Sequence, residues 1–130
     1  GTFGGNPLCC VAGLKTVEVA QQLLGNAEEL GKSLMGRLKE LYAKYEIIGD
    51  IRGAGLMVGV ELVKDRESKE PAKEERNCVL TECHRKGLLI IGAGAYKNVI
   101  RFLPPLNISE NLLNRGLDIF ENAMRMISAK

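Results

Sequence analysis

Asn98-Val99-Ile100-Arg101-Phe102-Leu103-Pro104-Pro105 decides how the rest of the chain is read. Its β-branched and aromatic residues predict a short strand, and the two prolines end it because neither can donate to a ladder. Alternation places Val99, Arg101 and Leu103 on one face and Ile100 and Phe102 on the other. Arg101 is the one charge in the apolar run. A guanidinium keeps its charge in any protein environment, and its planar fork fits a carboxylate through two parallel bonds. Arg101 therefore reads either as a carboxylate clamp or as an outward-facing arginine on an edge strand, and the residues alone leave both readings open.

Working outward, Gly92 to Lys97 form a loop before this strand, and Leu88 to Ile91 a short strand before the loop. Ala72 to Lys86 read as a helix, acidic at its start (Glu74, Glu75) and basic at its end (His84, Arg85, Lys86), as the helix dipole favours. Gly87 stops it. Lys64 to Pro71 form a charged turn. Residues 47–53 and 59–63 read as one or two strands, with a bend or bulge marked by Gly53 and Gly55. On the other side, Ser109 caps a final helix whose Leu113, Leu117, Phe120, Met124 and Ile127 step by four and three along one face, a stripe that packs on the sheet.

Two long helices precede all this. Asn6 as cap and Pro7 as first residue start one that runs to Leu24, with Gly25 as its stop. Leu8, Val11, Leu14, Val17, Val19 and Leu23 surround most of it, a pattern that predicts burial between layers or subunits. The other begins at Asn26, with Glu29 completing a capping box. It carries a single stripe of Ala27, Leu30, Leu34, Leu38, Leu41 and Tyr45, and Gly31 and Gly36 weaken it by about 1 kcal/mol each. The expected fold is α+β, a two-layer arrangement in which a small antiparallel-rich sheet is covered by helices and preceded by two long ones. Residues 1–45 form a linking unit of loop and helices, and residues 46–130 a small α/β domain.

Composition narrows the function. The 130 residues are 45% apolar and 26% charged, with a net charge of +2, too balanced to favour nucleic acid or an anionic membrane. No apolar run could span a bilayer and no signal-peptide pattern is present. Of four cysteines, Cys9 and Cys10 are adjacent, and Cys78 and Cys83 lie five apart; the one histidine, His84, sits beside Cys83. None has metal-ligand spacing, so no metal site is expected, and the thiols read as small buried groups in a reducing compartment. The expected location is cytoplasmic.

Three glycine clusters invite a phosphate. Gly53-Ala54-Gly55 precedes a strand and Gly92-Ala93-Gly94 precedes another, so neither meets the strand-turn-helix requirement of a dinucleotide site. The N-terminal Gly1-Thr2-Phe3-Gly4-Gly5-Asn6 loop is better, because it offers the Thr2 hydroxyl, free N–H groups and a helix N-terminus. No Ser/His/Asp set can be assembled, and Asp50 and Glu61 look like strand-edge charges. No residue is assigned as catalytic.

Four motifs in order carry a resemblance: Gly1-Thr2-Phe3-Gly4-Gly5-Asn6-Pro7-Leu8, Gly49-Asp50-Ile51-Arg52-Gly53-Ala54-Gly55-Leu56-Met57, Lys86-Gly87-Leu88-Leu89, and Asn98 to Leu106. Over essentially its whole length the chain resembles the C-terminal portion of class-III pyridoxal-phosphate aminotransferases, most of all the 4-aminobutyrate aminotransferase group. The resemblance implies the small C-terminal domain of that fold, packed beside a large cofactor-binding domain. It implies that Thr2 hydrogen-bonds the cofactor phosphate in the neighbouring subunit of a homodimer. It also implies that Arg101 binds the α-carboxylate of glutamate or 2-oxoglutarate, with an ω-amino acid such as 4-aminobutyrate as donor. The family's Schiff-base lysine lies upstream of the Gly-Thr loop. The chain alone is therefore expected to be inactive.

A rival reading is a non-enzymatic amino-acid-binding module. From Leu56 onward the order strand, helix, strand, strand, helix resembles a ferredoxin-like fold missing its last strand. Such a module has no use for the first two helices or the Gly-Thr loop.

Overall fold

The computed structural model describes residues 1–128, and its elements follow the order α1 (Pro7–Gln22), α2 (Leu24–Lys44), β1 (Ile48–Ala54), β2 (Met57–Leu62), α3 (Lys73–Arg85), β3 (Ile91–Ala93), β4 (Val99–Phe102) and α4 (Glu110–Ser128). The strands form one antiparallel sheet in the order β1-β2-β4-β3. Since β4 is antiparallel to both β2 and β3, those two run the same way with β4 between them, a split β-α-β unit around α3. The ferredoxin-like order read from Leu56 onward is thus present, and β1, from upstream, fills the place beside β2 that the missing last strand would occupy.

Helices cover one face only. Val58, Val60, Leu62, Ile100 and Phe102 point into a core shared with Leu30, Leu34, Leu38 and Leu41 of α2, Val79 and Cys83 of α3, and Leu113, Leu117, Phe120 and Met124 of α4. Phe120 meets Phe102 edge-on, ring centroids 5.1 Å apart. The stripes expected on α2 and α4 are those that are buried. Ser109 caps α4, its Oγ accepting from Leu112 N at 3.3 Å. Gly87 ends α3 with a φ of 84°.

Local expectations fail in three places. Gly25 does not stop α1: the helix ends at Gln22, Leu23 serves both helices as a cap, and Gly25 lies inside α2. Asn26 is no N-cap, because its amide reaches across the molecule and donates to Leu106 O at 2.6 Å and Ile108 O at 3.3 Å. These bonds fix the loop after β4 to the first turn of α2. The strand expected at Leu88–Ile91 lies later, at Ile91–Ala93, because Gly92 and Ala93 pair with Ile100 and Val99. The burial expected for α1 was between layers or subunits, and among the described residues no layer lies against it: Leu8 is 78% exposed and Leu14 66%.

The hairpin β1–β2 settles which face each charge takes. Gly55, at φ 54°, is the glycine of its two-residue turn. Ile48 pairs with Leu62 but Asp50 pairs with Glu61, so a bulge at Gly49 interrupts the register. Strict alternation would put Ile48, Asp50 and Arg52 on one face. The extra residue sends Ile48 into the core while Asp50 and Arg52 stay exposed.

Candidate substrate-carboxylate site

The face of the sheet that no helix covers carries two cross-strand rows. Asp50, Glu61, Val99 and Ala93 pair across the four strands, and so do Arg52, Gly59, Arg101 and Ile91. Alternation placed Arg101 correctly: Ile100 and Phe102 are buried, whereas Arg101 and Leu103 are exposed. Val99 shares the Arg101 face but is covered, because its methyl groups lie against Gly59 and Gly94.

The two arginines of the second row differ. Arg52 Nη1 donates to Asp50 Oδ2 and to Glu61 Oε2, both at 2.6 Å. Asp50 first and Glu61 second hold the Arg52 charge more firmly than water would. The other oxygen of Glu61 accepts from the amide of Asn98 at 3.4 Å, and that amide, on a residue only 2% exposed, also donates to Leu62 O at 2.9 Å. Arg101 has no hydrogen bond or ion pair among the described residues, although it stands one strand away from the same cluster.

Arg101 also lies at the rim of a mainly apolar cleft of about 610 Å³ between the α3–β3 turn, the end of β4 and the start of α4. The charged residues lining it are Lys86, Arg101 and Arg115, and no acid lines it. A cation without an internal counter-charge, beside a concave apolar wall, is the chemistry that receives an organic carboxylate.

Thr2 lies elsewhere. Its loop sits at the far end of α1, a helix about 24 Å long at 1.5 Å per residue. Among the described residues the loop makes no hydrogen bond to the sheet. The helix N-terminus expected there as an anion site is taken: Asn6 Oδ1 accepts from Leu8 N at 3.0 Å and Cys9 N at 3.3 Å, and Pro7 has no N–H. What remains for an anion is the Thr2 hydroxyl and the N–H groups of Thr2, Phe3 and Gly5, which bond nothing among the described residues. The described chain thus fits the phosphate end of a cofactor at most, and no cluster able to hold a metal occurs among the described residues.

The sequence pattern described as Aminotransferase class-III matches residues 1–124. The chain belongs to the class-III aminotransferases. It is 39% identical over 127 residues to a probable 4-aminobutyrate aminotransferase of Bacillus subtilis, covering 96% of this chain and 29% of that protein. A leucine/methionine racemase of Thermococcus litoralis is 44% identical over 125 residues, with 95% and 28% covered. Among solved structures, a Bacillus anthracis aminotransferase superposes with a TM-score of 0.87 at 36% identity, over 96% of this chain and 29% of that one. An amine transaminase from an uncultivated Pseudomonas species, solved with pyridoxal phosphate bound, gives 0.85 at 28% identity, with 98% and 29% covered. The chain spans less than a third of each of these relatives. The match includes α1 and α2, the two helices for which a free-standing ferredoxin-like module has no use.

Two features escaped the sequence reading. Asp50 and Glu61 are not separate edge charges but face each other, joined by Arg52. The signal lay in the hairpin: once Gly55 is the turn, Asp50 and Glu61 fall opposite each other, but the bulge that reconciles an exposed Asp50 with a buried Ile48 needed coordinates. The thiols also differ from expectation. Only Cys83 is buried, and burial pushes it up to about 12, while Cys9, Cys10 and Cys78 are exposed.

Proposed function

We propose that this chain is the C-terminal domain of a pyridoxal-phosphate transaminase that moves an amino group from an ω-amino acid such as 4-aminobutyrate to 2-oxoglutarate. Arg101 carries the reading: an exposed guanidinium without an acidic partner among the described residues, at the rim of a cleft lined by cations and apolar groups. In this reading Arg101 binds the carboxylate of the 2-oxo acid and fixes its orientation without moving a proton. The Thr2 hydroxyl donates to the cofactor phosphate, reaching from one protomer of a homodimer into the other. When bound, pyridoxal phosphate supplies the electron sink that lets nitrogen leave one carbon and join another. No lysine of this chain is assigned the covalent role.

In the full-length enzyme, Arg101→Lys is expected to raise KM for 2-oxoglutarate about tenfold or more, since a point charge cannot reproduce a two-bond fork. An unchanged KM would remove Arg101 from the site. Thr2→Ala is expected to lower cofactor occupancy after dialysis. The 130-residue chain alone, supplied with pyridoxal phosphate and both substrates, is expected to give no turnover.

The relative named as a racemase supports a second reading, in which one amino acid is inverted with no amino acceptor. Omitting 2-oxoglutarate separates the two. A transaminase stops after one equivalent of product, whereas a racemase continues.

A further inference from the structure

Arg101 owes its freedom to its neighbours. Glu61 lies directly opposite Val99, so it is the diagonal neighbour of Arg101 across the β2–β4 ladder. Diagonal pairs are about 7–8 Å apart at the backbone, within reach of a glutamate and an arginine. The residue of β2 that faces Arg101 directly is Gly59, which has no side chain to stand between them. A carboxylate is therefore positioned to neutralise Arg101, yet it does not.

Arg52 and Asn98 hold it back. Glu61 Oε2 accepts from Arg52 on the β1 side and Oε1 from Asn98, so each oxygen already has a partner that holds the carboxylate in place. Arg52 also bridges Asp50 to Glu61. Those two carboxylates are directly opposed across the ladder, an arrangement that repels when no cation lies between them. Without Arg52, Asp50 would push Glu61 away from β1 and toward β4, where Arg101 stands.

We infer that Arg52 is a positioning residue that sequesters Glu61 and so keeps Arg101 available for the substrate carboxylate. The inference rests on the Arg101 reading proposed above and adds a specificity role for the Asp50–Arg52–Glu61 triad. Loss of Arg52 selectively weakens binding of the carboxylate that Arg101 receives, because an internal acid then competes with it.

The test uses the full-length enzyme with 2-oxoglutarate as the varied substrate. Arg52→Gln is expected to raise its KM roughly fivefold, the competition an exposed ion pair offers, with kcat changed less than twofold. Adding Glu61→Gln is expected to return KM to near the wild-type value. Adding Asp50→Asn instead removes the push from β1 but leaves Glu61 charged and without its Arg52 partner, so KM is expected to fall only part of the way. Rescue by Asp50→Asn equal to that by Glu61→Gln would reduce Arg52 to a structural tie and overturn the inference, as would no change in KM for Arg52→Gln. Should Arg52→Gln fail to fold, Glu61→Gln alone decides: its KM is expected at or below wild type, and a raised KM overturns the inference. An Arg101→Lys control tells the two claims apart. If its KM is unchanged, the carboxylate site itself is misplaced; if it is raised while Arg52→Gln is silent, only the role of Arg52 is lost.

Discussion

Gly31 and Gly36 look alike in the sequence, two glycines inside one helix, yet their surroundings give them opposite roles. A Cβ on Gly31 would stand 2.5 Å from the carbonyl group of Gly55, so α2 and the β1–β2 turn meet backbone to backbone there. A Cβ on Gly36 would meet nothing within 4 Å. Gly31→Ala is expected to destabilise the fold by roughly 2–3 kcal/mol despite its better helix propensity, and Gly36→Ala to stabilise it by about 1 kcal/mol. Urea unfolding of the two variants checks both signs. Cys83 makes a second prediction at this scale. The fold favours its thiol, with a value of about 12 against 9.0, so its contribution is complete below about pH 9 and is lost as pH rises from there toward 12. At pH 8 a colorimetric thiol reagent is expected to titrate Cys9, Cys10 and Cys78 in the native chain, and Cys83 only after denaturant is added.

At the scale of elements, periodicity was a good guide wherever one face of a helix or strand packs. The α2 and α4 stripes, the Asn6 and Ser109 caps and the facing of Arg101 could all be read from spacing. Side chains that reach across the molecule could not. Asn26 has the signature of a cap, but its amide is spent on Leu106 and Ile108, eighty and eighty-two residues away, and no local rule contains that partner. Arg66 is similar. It sits in what reads only as a charged turn, yet its Nε donates to Ile48 O at 3.0 Å and its Nη2 to Tyr45 O at 3.1 Å and to Tyr42 O, with the guanidinium 4.0 Å over the Tyr42 ring. It thus satisfies carbonyls at the C-terminal end of α2, where a cation is favoured. Arg66→Ala is expected to cost about 2 kcal/mol, read as a lower melting temperature, with the spectrum of the remaining folded state unchanged.

Across the whole molecule, α1 stands apart. Its apolar circumference predicted burial, and the burial does not occur within this chain. The sequence carried the need for a cover but not its identity. Since α1 adds nothing to the shared core, removing residues 1–22 is expected to shift the melting temperature by only a few degrees, while the intact chain associates with rising concentration and the truncated chain sediments as a monomer. The site divides in the same way. Arg101 could be found because one charge interrupts an apolar strand, whereas the triad beside it depended on the cross-strand register that the Gly55 turn sets.

The sheet has two margins, and neither invites extension. Its outer strand β3 is three residues long, too short to template a neighbour, and β1 at the opposite side begins with a bulge. Whatever clusters this chain forms in concentrated solution should therefore join through a greasy rod and stop at a small closed number. Growth into fibrils is not open to them, and amyloid-sensitive dyes should stay dark even where light scattering climbs.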